Sequence, residues 1–276
     1  MEFSEPWIGY VLAGVLGAAI GSFLNVVIYR LNTGRSLQGS SHCLSCGVVL
    51  SWYELFPVAS YVVLLARCRH CGARIPSRYM LVELLTAGLF LLGWHLFHAD
   101  LIALALNGVL FSLLVVITIY DIRHTIIPDV LVIYLAGLAL GFLGYHVYQN
   151  GDWLSALFDV LGGVGASLFF FGLWLVSHGR WIGLGDAKLA MPLGVIVGVT
   201  SVFSMVVLSF WIGAVISVAL IGVQHLLKKG KTHLPFLSLP LTIKSEVPFA
   251  PFLVLGFLCA YLFNANIFSL TYMFLS

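Results

Sequence analysis

"LIALALNGVLFSLLVVITIYDIRHTIIPD", positions 101–129, decides how the chain is read. Positions 101–120 carry no charged side chain, and then Asp121 and Arg123 arrive together. An apolar run of about 20 residues is the unit that crosses a bilayer as a helix. The composition extends that reading to the whole protein. It is 61% hydrophobic and 9% charged, where a soluble domain is about 25% charged. Lipid is therefore the solvent for most of the chain. The net charge of +2 is too small to argue for a nucleic-acid partner.

Further apolar runs lie at 7–29, 79–97, 129–147, 153–177, 187–200, 203–227 and 249–271. With 101–120 they predict an all-α polytopic membrane protein of about eight transmembrane helices. The basic residues set its orientation. All 13 Lys and Arg fall in alternate loops or at their edges. Arg30, Arg35, Arg67, Arg69, Arg74 and Arg78 mark the first loop, Arg123 the third, Arg180 and Lys188 the fifth. Lys228, Lys229, Lys231 and Lys244 mark the seventh. Positive loops stay in the cytoplasm, so both termini are expected outside it. Glu2 and Glu5 precede the first run and Arg30 follows it, the reverse of a cleavable signal peptide. The first span carries GxxxG at Gly17 and Gly21, and "GGVG" lies at 162–165. Both read as small residues for close helix packing rather than as nucleotide loops.

The chain divides into a first membrane helix (1–29), a cytoplasmic loop (30–78) and a membrane domain (79–276). The loop holds "CLSCG" (Cys43, Cys46) and "CRHCG" (Cys68, Cys71). Two residues between cysteines let one tight turn aim both sulfurs at one ion. A Gly after each pair suits positive φ. Two such turns make an S4 site that fits zinc, redox-active dithiols being the alternative. Four thiolates close the coordination shell, so the zinc would be structural, stapling a loop too small for a core of its own. His42 and His70 read as surface residues, and Cys259 as packing. Positions 50–66 are apolar but interrupted by Glu54 and Pro57, and read as a segment at the membrane surface.

Asp121 ends the third run and Asp186, in "GLGDAK" (183–188), begins the sixth. The topology puts both at the cytoplasmic boundary of the bilayer. Boundary carboxylates point to function. Neighbours two apart on a helix do not face each other, so Arg123 and Lys188 are not natural partners for them. An N-cap role is the alternative for Asp186, and it is the preferred reading for Asp129. Asp159 lies toward the outer end of its span. Arg78 and Glu83 are a candidate ion pair or an ordinary boundary anchor, and His124 and His178 read as solvated surface, a substrate or pH role being the alternative. Two carboxylates brought together do not both ionise easily, and that asymmetry is what an aspartic protease uses. Gly183 and Gly185 would let backbone approach closely, with Lys188 shaping the same site. A transporter using the pair as a proton relay, or a non-enzymatic scaffold of a secretion apparatus, are the other classes. The absence of an inverted repeat in the sequence argues against the transporter.

These segments together resemble the bacterial type IV prepilin peptidases, a family of GxGD aspartyl intramembrane proteases. The resemblance rests on "GSFLNVVIYRL" (21–31), both CxxC pairs, "SWYELFPVASY" (51–61), "SRYMLVE" (77–83), "DIRHTIIPD" (121–129), "GLGDAK" and "VPFAPFL" (247–253), in that order. Asn32, Met80 and Ala250 depart from the family pattern, Ala250 standing where it has Gly. The resemblance implies catalytic roles for Asp121 and Asp186 and zinc on the four cysteines. It implies cleavage after a leader glycine in prepilin or pseudopilin precursors of type IV pilus and type II secretion systems. The place would be the cytoplasmic face of the bacterial inner membrane, with the apolar precursor entering from membrane lipid. It also implies N-methylation of the new terminus from S-adenosylmethionine, with 30–78 as the methyltransferase region.

Overall fold

The computed structural model describes residues 6–34, 36, 38–228 and 248–263. The described chain is helical: α1 (Pro6–Arg30), α2 (Ala59–Val63), α3 (Arg78–Phe97), α4 (Leu101–His124), α5 (Asp129–Asn150), α6 (Trp153–Ser177), α7 (Leu184–Val197), α8 (Val199–Lys228) and α9 (Ala250–Leu262). A 3-10 turn spans Trp52–Leu55. Among the described residues six helices are long and apolar enough to cross a membrane: α1, α3, α4, α5, α6 and α8. The chain is thus an all-helical, multi-pass membrane protein. The predicted span 187–200 corresponds to the 14-residue helix α7, shifted by three residues and not among those six. At 1.5 Å per residue it is about 21 Å long, short of a hydrocarbon core of about 30 Å. The predicted span 249–271 is helical over Ala250–Leu262, and its remainder lies outside the described residues. So do Lys229, Lys231 and Lys244, and both chain ends.

The chain forms two compact units, Met1–Ile119 and Tyr120–Ser276. In the first, α1 packs along α3. The glycines of the GxxxG pattern make the approach possible. A Cβ on Gly17 would lie 2.8 Å from the Ala87 Cα, and one on Gly21 2.8 Å from the Glu83 Cα. In lipid, association rests on such close packing rather than on expulsion of water. The buried Asn25 ties the same helices where the contact reaches the loop, its Nδ2 donating to the Tyr79 carbonyl at 3.0 Å.

The second unit is built around α7, which packs on α5, α6, α8 and α9. α7 buries most of its surface against these helices, while Leu184, Lys188 and Met191 stay exposed along one stripe. The start and stop of α7 differ from the predicted 187–200 for local reasons. Gly183 is the N-cap, so Asp186 lies inside the first turn. Gly198 has φ +83° and ψ 157°, a conformation open essentially to glycine alone, and it ends the helix. Asp159 then caps the next helix, its Oδ1 accepting from the Val199 N–H at 2.9 Å. The "GGVG" glycines meet α7 as small residues should. A Cβ on Gly194 would lie 2.8 Å from the Gly163 Cα, and one on Gly163 would lie 2.6 Å from the Met191 carbonyl oxygen. Outward-facing side chains such as Ile133, Leu140 and Val218 are apolar and about two-thirds exposed, as lipid-facing positions are.

Gly163→Ala therefore forces α6 and α7 apart, whereas Gly165 faces open space. The expected loss for Gly163→Ala is about 1–3 kcal/mol of stability. Thermal unfolding in detergent should show it as a lowered midpoint, with Gly165→Ala close to wild type.

Candidate active site and cysteine cluster

Asp121 and Asp186 both belong to the second unit, and both are buried, at 4% and 6% exposure. Each is met by the start of a helix. Asp121 lies in the last turn of α4, and the backbone N–H of Ala250, the first residue of α9, hydrogen-bonds its carboxylate. Asp186 reaches back along α7, its Oδ2 accepting from the Gly183 N–H at 3.1 Å. The partial positive charge of two helix N-termini thus converges on the pair. The carboxylates are near enough for Asp186 to sense the charge of Asp121. Asp121 Oδ2 is buried and accepts no hydrogen bond. The structure brings together the two acids that the sequence marked. Asp186 is not the N-cap it could have been: Gly183 is, and the Asp186 carboxylate, three residues on, accepts from the Gly183 N–H.

The glycines beside them are needed for the protein's own packing. A Cβ on Gly183 would lie 3.3 Å from Asp186 Oδ2, and one on Gly185 3.2 Å from the Ile127 Cβ. Neither has positive φ. Their demand is for space at the carboxylate and for the 125–128 segment to lie against α7. Lys188 turns away from Asp186 and pairs with Asp129 at 2.7 Å. Asp129 is the first residue of α5, with Pro128 as N-cap, so its carboxylate bridges helices instead of capping one. The pair is solvent-exposed, worth at most about 1 kcal/mol.

Two partners escaped the sequence. The Ala250 N–H is a backbone group, and no side-chain pattern announces it. Glu83 accepts from the Val58 N–H at 2.8 Å, while Arg78 lies over the Tyr79 ring, so the expected Arg78–Glu83 pair does not form. His124 stacks on Tyr120, and His178 ends α6 in the left-handed conformation.

In the first unit the two cysteine pairs fold into matching knuckles. His42 bridges Val49 and Arg67 bridges Arg74. Gly47 and Gly72 have φ of +73° and +71°, the conformation their place after each pair demands. The Gly47 N–H donates to the Cys43 carbonyl and the Gly72 N–H to the Cys68 carbonyl, each at 2.9 Å. The sulfurs of Cys43, Cys46, Cys68 and Cys71 all lie within 4.8 Å of one another, Cys43 and Cys71 at 3.8 Å. Tetrahedral thiolates 2.3 Å from an ion stand about 3.8 Å apart. The backbone N–H groups of Cys46 and Ser45 draw the Cys43 thiol down to about 6. At Cys71 the Ala73 N–H favours the thiolate, but desolvation and proton sharing with the other three sulfurs push it up to about 11. A divalent cation between them would favour the thiolate at all four. The intervening segment makes one 3-10 turn and the single helical turn α2, with Trp52, Val63 and Leu65 more than three-quarters exposed. His70 stands 3.4 Å from the buried Glu54.

Comparison with known proteins matches residues 15–97 to the bacterial peptidase A24 N-terminal domain and residues 108–218 to the type IV leader peptidase family. The first range includes all four knuckle cysteines, the second both buried aspartates. Among similar proteins is the prepilin leader peptidase/N-methyltransferase of Myxococcus xanthus (strain DK1622). It is 36% identical over 75% of this chain, and the match spans 62% of the relative's length. The protein of the same name from Pseudomonas putida is 33% identical over 80% of this chain and 84% of its own. That from Bacillus subtilis (strain 168) is 29% identical over 92% and 94%. No solved structure matches.

The sulfur geometry predicts one soft divalent ion per chain. Titration with cobalt should produce thiolate-to-metal absorption bands that saturate at one equivalent, and Cys46→Ser should weaken or abolish them.

Proposed function

The chain belongs to the type IV leader peptidase family, and on that premise we propose that it cleaves the leader of type IV prepilin or pseudopilin precursors after a glycine. The place is the cytoplasmic face of the bacterial inner membrane. Asp121 and Asp186 are the catalytic pair. The observation that supports the assignment most is the burial of these two carboxylates together, within electrostatic reach, where their desolvation needs a reason.

The chemistry follows from that placement. Two like acids in a water-poor site hold one proton between them. The charged carboxylate takes a proton from water as it attacks the scissile carbonyl. The protonated one donates to the carbonyl oxygen, where negative charge develops. Asp121 Oδ2, buried and unbonded, is the oxygen left to face the water or the peptide. The Gly183 and Ala250 N–H groups fix the two carboxyl planes, so little reorganisation is left for the reaction itself. A precursor with an apolar N-terminal helix behind a basic leader enters from membrane lipid. Its scissile bond then lies near the bilayer boundary, at the expected depth of the pair. The basic loops, and so the knuckles, face the cytoplasm with both termini outside it.

Positions 30–78 are the second functional region, beside a peptidase domain at 79–276. The metal on Cys43, Cys46, Cys68 and Cys71 is zinc, by the softness of four thiolates and their tetrahedral spacing, and its role is structural because no ligand position stays open. This region N-methylates the new terminus of the cleaved pilin; the relatives' names pair prepilin leader peptidase with N-methyltransferase. S-adenosylmethionine supplies an electrophilic methyl to a neutral amine, the sulfonium leaving as an uncharged thioether and the amine releasing its proton.

The test is to incubate the purified protein with a synthetic prepilin precursor, with and without S-adenosylmethionine, and weigh the products. Expected are a free leader in both cases and a mature peptide heavier by one methyl only with the donor. Asp121→Asn and Asp186→Asn should each lower cleavage by about 10³-fold or more, as loss of an acid–base partner does, with thermal stability retained. An uncut precursor with wild-type protein, or full cleavage by either variant, contradicts the reading. Gly183→Ala, which crowds Asp186 Oδ2, should lower cleavage while leaving bound metal unchanged.

A further inference from the structure

The first unit contains a cavity of about 500 Å³ between the last turns of α1, the first turns of α3 and the two knuckles. That volume falls in the range of small-molecule sites, about 300–1,000 Å³. Its wall is mostly apolar and includes the rings of Tyr29, Tyr61 and Tyr79. Two carboxylates interrupt it, Glu54 and Glu83, each only 8% exposed.

These acids are set up differently. Glu83 is occupied by the Val58 N–H. Glu54 uses Oε2 on the Ser51 N–H at 2.8 Å. Its Oε1 is buried and accepts no hydrogen bond, with the His70 Nε2 3.4 Å away in a poor direction. A buried carboxylate oxygen without a donor is costly. Arg30, Arg69 and Arg74 also line the cavity, and among the described residues none of them pairs with Glu54 or Glu83. Arg30 donates to the carbonyls of Ser36 and Gln38, and Arg69 lies over the Tyr53 ring. The cavity thus presents aromatic faces, two carboxylates and three guanidinium groups together. That set suits a ligand with a flat aromatic part, a positive centre and a carboxylate of its own.

We infer that this cavity is the binding site for S-adenosylmethionine, with Glu54 holding the cationic sulfonium and amino-acid end and the tyrosines packing the adenosine. The inference rests on the methyl-transfer reading and adds to it a place and a charge contact. Glu54 fits that group through its orphaned oxygen, and Glu83 adds a second negative wall. Neither residue belongs to the peptidase site in the second unit.

The test is calorimetric binding of S-adenosylmethionine to the full chain in detergent. Glu54→Gln keeps the shape and the Ser51 contact but removes the charge. It should weaken binding at least about 10-fold. S-adenosylhomocysteine, whose sulfur is neutral, should lose less from the same substitution. Val26→Trp, which fills the cavity from α1 and alters no charge, should abolish binding of both. Cleavage of the precursor and bound metal should match wild type in both variants. Wild-type affinity in both variants would place the donor elsewhere and leave the methyl-transfer reading intact. No binding to the wild-type chain would overturn both.

Discussion

Two buried acids within electrostatic reach of each other, Asp121 and Asp186, set the terms for the second unit. Removing a carboxylate from water is expensive, and placing a second one nearby adds repulsion. The surrounding fold is arranged around that expense. α7 packs on four helices, which buries the Asp186 side of its first turn. α9 begins with its first N–H on Asp121, and α7 folds its own Gly183 N–H onto Asp186. Small residues make these approaches possible: Gly163 against Gly194 lets α6 seat α7, and Gly185 lets Ile127 lie against it. The pair is preorganised by backbone groups, which side-chain motion cannot withdraw.

Much of this was legible in the sequence, for identifiable reasons. Long spans announce themselves by length and apolar content, and 153–177 coincides with α6. Gly after each CxxC signals positive φ, and Gly47 and Gly72 adopt it. Asp121 and Asp186 stand out because charge is rare in such a chain. Hydropathy placed the start of α7 three residues late, at 187 rather than Leu184, because its first turn holds Gly185 and Asp186 beside Leu184. Contacts between distant positions were also hidden. Lys188 with Asp129, Val58 with Glu83 and Ala250 with Asp121 depend on which helices meet, and local spacing carries no record of that. The bond from Asp159 to the Val199 N–H belongs with them.

The first unit solves a different problem. Its loop is too small for an independent core, and its two knuckles repeat one local design: a bridge, a turn and a glycine. Their sulfurs converge within bonding distance of a common centre. Glu54 and Glu83 anchor the segment between the knuckles through the Ser51 and Val58 N–H groups. Those anchors hold an apolar stretch off the path of a membrane span and leave a cavity beneath it. The same carboxylates therefore shape the loop and charge the cavity wall.

The central claim is that Asp121 and Asp186 work as one unit with a single proton. The most direct measurement is the pH dependence of kcat/KM for cleavage of a detergent-solubilised prepilin precursor. A pair that needs one member charged and the other protonated predicts a bell, with activity lost on both the acid and the alkaline side. A rate that changes on one side only, and stays level across the other within the range where the protein remains folded, would contradict the shared proton and the account built on it.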